Sequence, residues 1–233
     1  QDAFANVPAG LGPTLKERGF DSLTPIQEAV LASDVEGRDI RVSSQTGSGK
    51  TVAIGLAIAN DLVAGTEPHS GGKARPQCVL IAPTRELAAQ VEQSVIDSAK
   101  YLSIRSSAIY GGVSIRPQIA ELRKGVDIVV ATPGRLLDHA SQRTIDLSHV
   151  EVLVLDEADR MLDMGFLPDI KRILRYVPAK RQTLFFSATM PAPIVSLTRE
   201  MLRDPVTINL DRQATPAVGI TQAVYPVAQE LKS

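Results

Sequence analysis

The chain has 233 residues, 44% of them apolar, which is enough for one sizeable core, so a single domain is the first expectation. Charged residues make up 22% and the formal net charge is -1, so no basic footprint announces a nucleic-acid partner, and a polyanion would need a local site. The single cysteine, Cys78, has no internal disulfide partner and suits a reducing, cytoplasmic setting, while His69, His139 and His149 show no metal-ligand spacing.

Residues 1–15 do not read as a signal sequence, and no apolar run approaches the ~20 residues of a membrane-spanning helix. Strands are expected at 40–44, 78–82, 106–110, 128–131, 152–155, 184–187 and 206–209. Several of these runs are almost wholly apolar, as in strands buried on both faces of a parallel sheet. Amphipathic stretches separate them. A helix is expected at 51–63, and after Thr84 the residues Leu87, Ala88, Val91, Val95 and Ala99 form one helical face. The alternation predicts an α/β domain with a central, mostly parallel sheet. Residues 65–77 carry Pro68, Ser70, Gly71, Gly72 and Pro76 and read as an exposed connector, with a nucleic-acid-touching loop as the alternative. Residues 1–210 read as the domain. From 211 the periodicity fades, apolar residues resume at 220–227, and 211–233 reads as a linker into a further element.

The sharpest local signal is Ser44-Gln45-Thr46-Gly47-Ser48-Gly49-Lys50-Thr51, lying between an expected strand and an expected helix. Glycines there let successive backbone N–H groups turn onto phosphate oxygens. Lys50 then reaches the β- and γ-phosphates, and the Thr51 hydroxyl ligates Mg²⁺. The helix N-terminus adds a favourable field for an anion. Ser44 stands where the strict pattern has glycine. A second element, Val152-Leu153-Val154-Leu155, runs into Asp156-Glu157-Ala158-Asp159. Carboxylates at the carboxyl end of a parallel strand lie where such sheets bind ligands. Asp156 is assigned to Mg²⁺, partly through water, and Glu157 to the attacking water. The alternative is an acidic cluster that merely caps a helix.

At these residues the chain resembles the DEAD-box RNA helicases. The resemblance also rests on Gly19-Phe20 ahead of Thr24-Pro25-Ile26-Gln27 (residues 19–27, the Q motif), on Pro83-Thr84-Arg85-Glu86-Leu87-Ala88, on Gly111-Gly112, on Thr132-Pro133-Gly134-Arg135 and on Ser187-Ala188-Thr189. They occur in the family's order and span nearly the whole chain; Leu23 stands where the family usually has proline. The resemblance implies a RecA-like P-loop domain, its sheet covered by helices on both faces. It implies that Phe20 and Gln27 bind adenine, while Thr46, Gly47, Ser48, Gly49, Lys50 and Thr51 hold the phosphates. Phe4 is a candidate for the upstream aromatic of the Q motif. Pro83, Thr84, Arg85, Gly111, Gly112, Thr132, Pro133 and Arg135 would contact RNA backbone, with little sequence specificity. Thr84 and Thr132 also read as helix N-caps, and two helix N-termini can hold phosphates without a basic patch. Asp159, Ser187 and Thr189 would couple the site to an interdomain interface.

The family implies ATP and Mg²⁺ as ligands, RNA as partner, and a second RecA-like domain that supplies further charge to the transferring phosphate. Nothing after Thr189 resembles that second domain. The chain is therefore expected to be a monomeric half that binds adenine nucleotides and hydrolyses them poorly. An ATP-gated RNA clamp is the alternative to an unwinding enzyme. A DNA-acting helicase is disfavoured by Gln27 and by Asp159 closing the acidic motif.

Overall fold

A computed structural model describes residues 4, 7–8, 11–32, 34–44, 49–62, 74–98 and 104–210. The expected linker at 211–233, most of the 65–77 connector, and Thr46, Gly47 and Ser48 lie outside the described residues.

Elements alternate along the chain: α1 (Leu11–Glu17), α2 (Pro25–Val30), β1 (Ile40–Ser43), α3 (Lys50–Leu62), β2 (Cys78–Ile81), α4 (Arg85–Ser98), β3 (Ser106–Ile109) and α5 (Ile115–Arg123). Then follow β4 (Ile128–Ala131), α6 (Pro133–Ser141), β5 (Val152–Leu155), α7 (Ala158–Asp163), α8 (Leu167–Ile173), β6 (Gln182–Ser187), α9 (Ala192–Met201) and β7 (Val206–Asn209). The strands form one seven-stranded sheet in the order β3-β4-β2-β5-β6-β1-β7. Every pairing is parallel, so the expected mostly parallel sheet is wholly parallel among the described residues.

Alternation along each strand splits the core in two. Val79, Ile81, Val129, Leu153, Leu155 and Phe185 face α6, α7, α8 and α9. Val42, Leu80, Val130, Val154, Leu184 and Phe186 face α2, α3 and α4. Both faces bury large side chains to near-zero exposure, which is why the central strands β2, β4 and β5 are apolar throughout, whereas β1 alternates Ile40 and Val42 with Arg41 and Ser43. A smaller cluster of Phe4, Leu11, Leu15, Val52 and Leu56 seats α1 on α3. Phe4 is thus a core residue, buried beneath Lys16, rather than part of the nucleotide-side cavity described below. The end of the connector is partly buried: Ala74 and Pro76 are buried and Ala74 bridges Ile145, while Arg75 is exposed as expected.

The register aligns the strand ends. Ile109 pairs with Ala131, Ala131 with Ile81, Ile81 with Leu155, and Ser43 with Ser187. One more ladder bond from each of Thr132, Ala82, Asp156 and Ser44 carries the chain onto the same edge. The loops bearing the motifs therefore leave a single, carboxyl edge of the sheet, where open α/β sheets bind ligands.

Candidate functional site

The strand order sorts the motifs in space. The loops after β3, β4 and β2 carry Gly111-Gly112, Thr132-Pro133 and Pro83-Thr84; those after β5, β6 and β1 carry Asp156-Glu157, Ser187-Thr189 and the phosphate loop. The half with the phosphate loop and the acidic motif is termed the nucleotide side, and the half with the motifs expected to meet RNA the RNA-motif side.

On the nucleotide side a cavity of about 520 Å³, a normal size for a small-molecule site, is lined by Phe20, Thr24, Gln27, Lys50, Asp156 and Glu157 among others. Phe20 arrives there because α1 ends in a Schellman turn. Phe20 N–H donates to the Leu15 carbonyl, Gly19 N–H donates to that of Lys16, and Gly19 takes the positive φ of 80° that the turn requires. Gln27 is fully buried, with both ends of its amide engaged. Its Oε1 accepts from Thr24 N–H at 2.9 Å, one half of a capping box, and its Nε2 donates to the Gly49 carbonyl at 3.3 Å. Gln27 thus ties α2 to the phosphate loop, leaving one amide proton and one lone pair for a ligand. Gly49 has φ +88°, and a Cβ there would stand 2.7 Å from Gln27 Nε2, so side chain and backbone both demand glycine.

Lys50 Nζ and Asp156 Oδ1 are buried without a hydrogen-bond partner. Buried charged groups without partners are costly and rare, and such groups call for a ligand. Burial pushes the Asp156 carboxyl up to about 6, with Glu157 and Asp159 adding to the effect and Lys50 opposing it. Glu157 sits at the start of α7 in the left-handed region, φ 52° and ψ 51°, and its side chain makes no capping bond. That conformation is strained for a non-glycine residue, as often found at functional sites. Simple helix capping therefore does not account for this acidic cluster. Arg160 holds the Glu157 carboxylate at 3.1 Å. The donor set fits a magnesium-bound nucleotide: an ammonium for phosphate, and the Thr51 hydroxyl and Asp156 carboxylate as oxygen ligands for a hard cation.

Asp159 belongs to a separate, satisfied cluster. Thr189 donates to its Oδ2 from both the backbone N–H (2.8 Å) and the hydroxyl (2.9 Å). Ser187 accepts from Asp159 N–H at 3.2 Å and donates to the Thr189 carbonyl at 2.7 Å. Burial alone would raise the Asp159 pKa, but these bonds together hold its carboxyl below the usual range.

On the RNA-motif side, Arg85, Gly111 and Gly112 are exposed, Thr84 and Thr132 are half-buried, and Pro83 and Pro133 are buried. Thr84 caps α4 by accepting from Leu87 N–H at 3.2 Å, whereas Thr132 occupies the N-cap position of α6 without a side-chain capping bond. Arg135, read as a phosphate contact, is turned inward with its side chain 10% exposed. The sequence reading missed Leu87, Gln90 and Val91, which line the cavity from α4. Their i, i+3, i+4 spacing marks one face of that helix, the signal that was available to find them.

A phosphate-loop helix and an acidic strand end on one edge of a parallel sheet define a RecA-like nucleotide-binding domain. A family profile described as DEAD/DEAH box helicase matches residues 24–197. The chain is 44% identical to the mitochondrial DEAD-box ATP-dependent RNA helicase 9 of Arabidopsis thaliana, over 98% of this chain and 38% of the relative. It is 43% identical to the ATP-dependent RNA helicase CshA of Listeria monocytogenes, over 94% of this chain and 41% of the relative. Solved structures include a DEAD box protein from Methanococcus jannaschii, 32% identical with a TM-score of 0.78, covering 88% of this chain and 55% of that one. A hypothetical ATP-dependent RNA helicase from Sulfolobus tokodaii is 35% identical with a TM-score of 0.75, covering 85% of this chain and 56% of that one. The chain belongs to the DEAD/DEAH box helicase family, and Asp156-Glu157-Ala158-Asp159 is its DEAD-box spelling. It spans 38% and 41% of the two curated relatives described.

Proposed function

We propose that this chain is the ATP-binding half of an RNA-dependent ATPase that unwinds or remodels RNA duplexes. The observation that carries the reading is the pair of unpartnered buried charges, Lys50 Nζ and Asp156 Oδ1, on residues that line one cavity with Phe20 and Gln27. Phe20 packs on the adenine ring, and Gln27 reads its edge with the remaining proton and lone pair. Lys50 neutralises the β- and γ-phosphates. Thr46, Gly47, Ser48 and Gly49 cradle them through the backbone. Thr51 and Asp156 are the residues that would hold Mg²⁺, which when bound draws charge from the phosphate oxygens. Glu157 orients the attacking water and accepts its proton. Thr84, Arg85, Gly111, Gly112 and Thr132 meet the RNA backbone, with Pro83 and Pro133 shaping the turns beneath. Asp159, Ser187 and Thr189 couple the site to a second RecA-like domain of the parent protein, with residues 211–233 as the connecting linker. We further propose that the fragment is monomeric and that the parent protein acts in the cytoplasm.

The test is ATP hydrolysis by the chain with and without single-stranded RNA, after titration of ADP against GDP. The expected result is a preference for ADP and negligible turnover in both conditions. Absence of adenine preference would remove the base-reading role. Strong RNA-stimulated turnover would refute the half-site. In the parent protein, slow turnover with long-lived RNA complexes would favour an ATP-gated clamp over unwinding. Replacing Lys50 with alanine is expected to lower ADP affinity by roughly a hundredfold or more, because the phosphates lose their main counter-charge. Unchanged affinity by calorimetry would refute the cradle.

A further inference from the structure

Behind the exposed Gly111-Gly112 loop, three polar side chains are engaged with one another instead of with solvent. Arg135 Nη1 donates to Gln118 Oε1 at 2.9 Å, and its Nη2 donates to the Val113 carbonyl at 2.8 Å. Its Nε lies 3.5 Å from Asp138. Gln118, on α5, passes the connection on through Nε2, which donates to the Tyr110 carbonyl at 3.0 Å. The two carbonyls that bracket Gly111 and Gly112 are thus held by one side-chain pair, which also joins α5 to α6. His139, fully buried, backs the pair, with Nε2 3.3 Å from Gln118 Oε1 and Nδ1 2.8 Å from Thr144 Oγ1. Burial, with Arg135 close by, pushes the His139 pKa down to about 4, so the ring is neutral at ordinary pH. On the loop's other side Arg85 approaches: a Cβ on Gly112 would stand 3.8 Å from its Nη1.

We propose that Gln118 and Arg135 are positioning residues that clamp the Gly111-Gly112 loop onto α6, so that loop and helix start meet RNA as one rim. Arg135 works through the loop and does not itself touch phosphate. This rests on the RNA reading above. The geometry supports it in two ways. Nη1 and Nη2 of Arg135 each spend one N–H on a neutral acceptor, Nε faces Asp138, and the side chain is only 10% exposed, whereas a guanidinium serving phosphate presents its fork of donors outward. Withdrawing it would strand the Val113 carbonyl and unhook Gln118, which no motif assigns to RNA.

The experiment is single-stranded RNA binding by the whole 233-residue chain, with Mg²⁺ and a non-hydrolysable ATP analogue, across a salt series. Gln118→Ala and Arg135→Ala are each expected to weaken binding about tenfold, as for one lost positioning hydrogen bond. The double variant is expected to be no worse than either single one, because both break one clamp. The salt slope of Arg135→Ala should match that of the unmodified chain. Arg135→Lys should not rescue, since an ammonium cannot span both acceptors. Gln118→Ala should bind ADP normally. A slope reduced by about 0.7 in Arg135→Ala, rescue by lysine and a silent Gln118→Ala would together make Arg135 a phosphate ligand and overturn the proposal. Amide hydrogen exchange across residues 110–116 of the RNA-free chain tests the clamp independently: faster exchange in Gln118→Ala is expected, and unchanged protection defeats the clamp. Failure of the unmodified chain to bind RNA would defeat the RNA reading instead, leaving the exchange result to judge the clamp.

Discussion

Two carboxylates three residues apart have opposite fates. Asp159 is satisfied by the Thr189 hydroxyl and backbone N–H, so its charge is already accommodated. Asp156 is buried with Oδ1 unpartnered. In sequence both are simply acidic residues of one motif, and only their placement beside β6 and below the cavity floor separates them. The difference has a measurable sign. The Asp156 pKa is raised from 3.8 to about 6 in the folded, ligand-free chain, chiefly by burial. A group whose folded pKa is raised contributes stability that is complete below the unfolded value and is lost as pH rises through the folded value. The ionised Asp156 therefore costs the folded state at pH 8 and not at pH 4. Asp156→Asn removes that titration. Its stability relative to the unmodified chain is expected to improve by up to about 3 kcal/mol between pH 4 and pH 8, most of the gap opening between 4 and 6. Urea unfolding at several pH values measures it, and a gap independent of pH would contradict the burial of that charge.

At the scale of elements, the strands were legible and their neighbours were not. Apolar runs such as 128–131 and 152–155 mark β4 and β5 with no adjustment, because a strand covered on both faces has no polar register to blur. Strand order escapes such reading, since crossover helices of similar pattern can lead to either side, so the grouping of motifs into a nucleotide side and an RNA-motif side appears only in the fold. Arg135 shows the limit for side chains: its motif places it near the edge, but its direction depends on Gln118, a residue 17 positions away in another helix. Gln27 shows the same limit, because its bond to Gly49 joins α2 to the phosphate loop across 22 residues. Gln27→Glu keeps one of its two bonds and turns the other into a repulsion. A glutamate at this position still accepts from Thr24 N–H and keeps the capping box, but it has no donor for the Gly49 carbonyl. Stability at neutral pH is expected to fall, because a carboxylate at this fully buried position faces the Gly49 carbonyl, and ADP affinity is expected to fall roughly tenfold or more, whereas Gln27→Ala loses the capping box without adding a buried charge. Pyrophosphate affinity, measured alongside, reads the phosphate-loop share of the loss. A Gln27→Glu chain with unimpaired ADP binding would show that the amide donor is irrelevant to the site.

Across the whole molecule the two edges of the sheet do different work. At the amino edge, buried Asp39 and Asp127 each stand directly before a strand, β1 and β4, and bind backbone N–H groups of neighbouring segments. Asp127 accepts from Arg105 N–H at 2.8 Å. Asp39 accepts from Thr183 N–H and from Arg203 N–H, both at 2.6 Å, while its own carbonyl accepts from Val206 N–H. One side chain and its backbone thus tie β1 to β6 and to the approach of β7. These carboxylates are as buried as Asp156, yet their partners come from the chain itself, which marks them as structural. Asp39→Ala would leave two N–H groups, one of them deeply buried, without their acceptor, and is expected to cost about 2–4 kcal/mol of stability. Because the sheet stands between this edge and the cavity, ADP affinity of the folded fraction should be unchanged within about twofold, in keeping with the additivity of distant sites. Denaturant unfolding gives the first quantity, and calorimetry well below the melting temperature gives the second. If ADP affinity fell in step with stability, the carboxyl edge would owe its geometry to the amino edge, and the separation of a structural edge from a functional one would not hold for this domain.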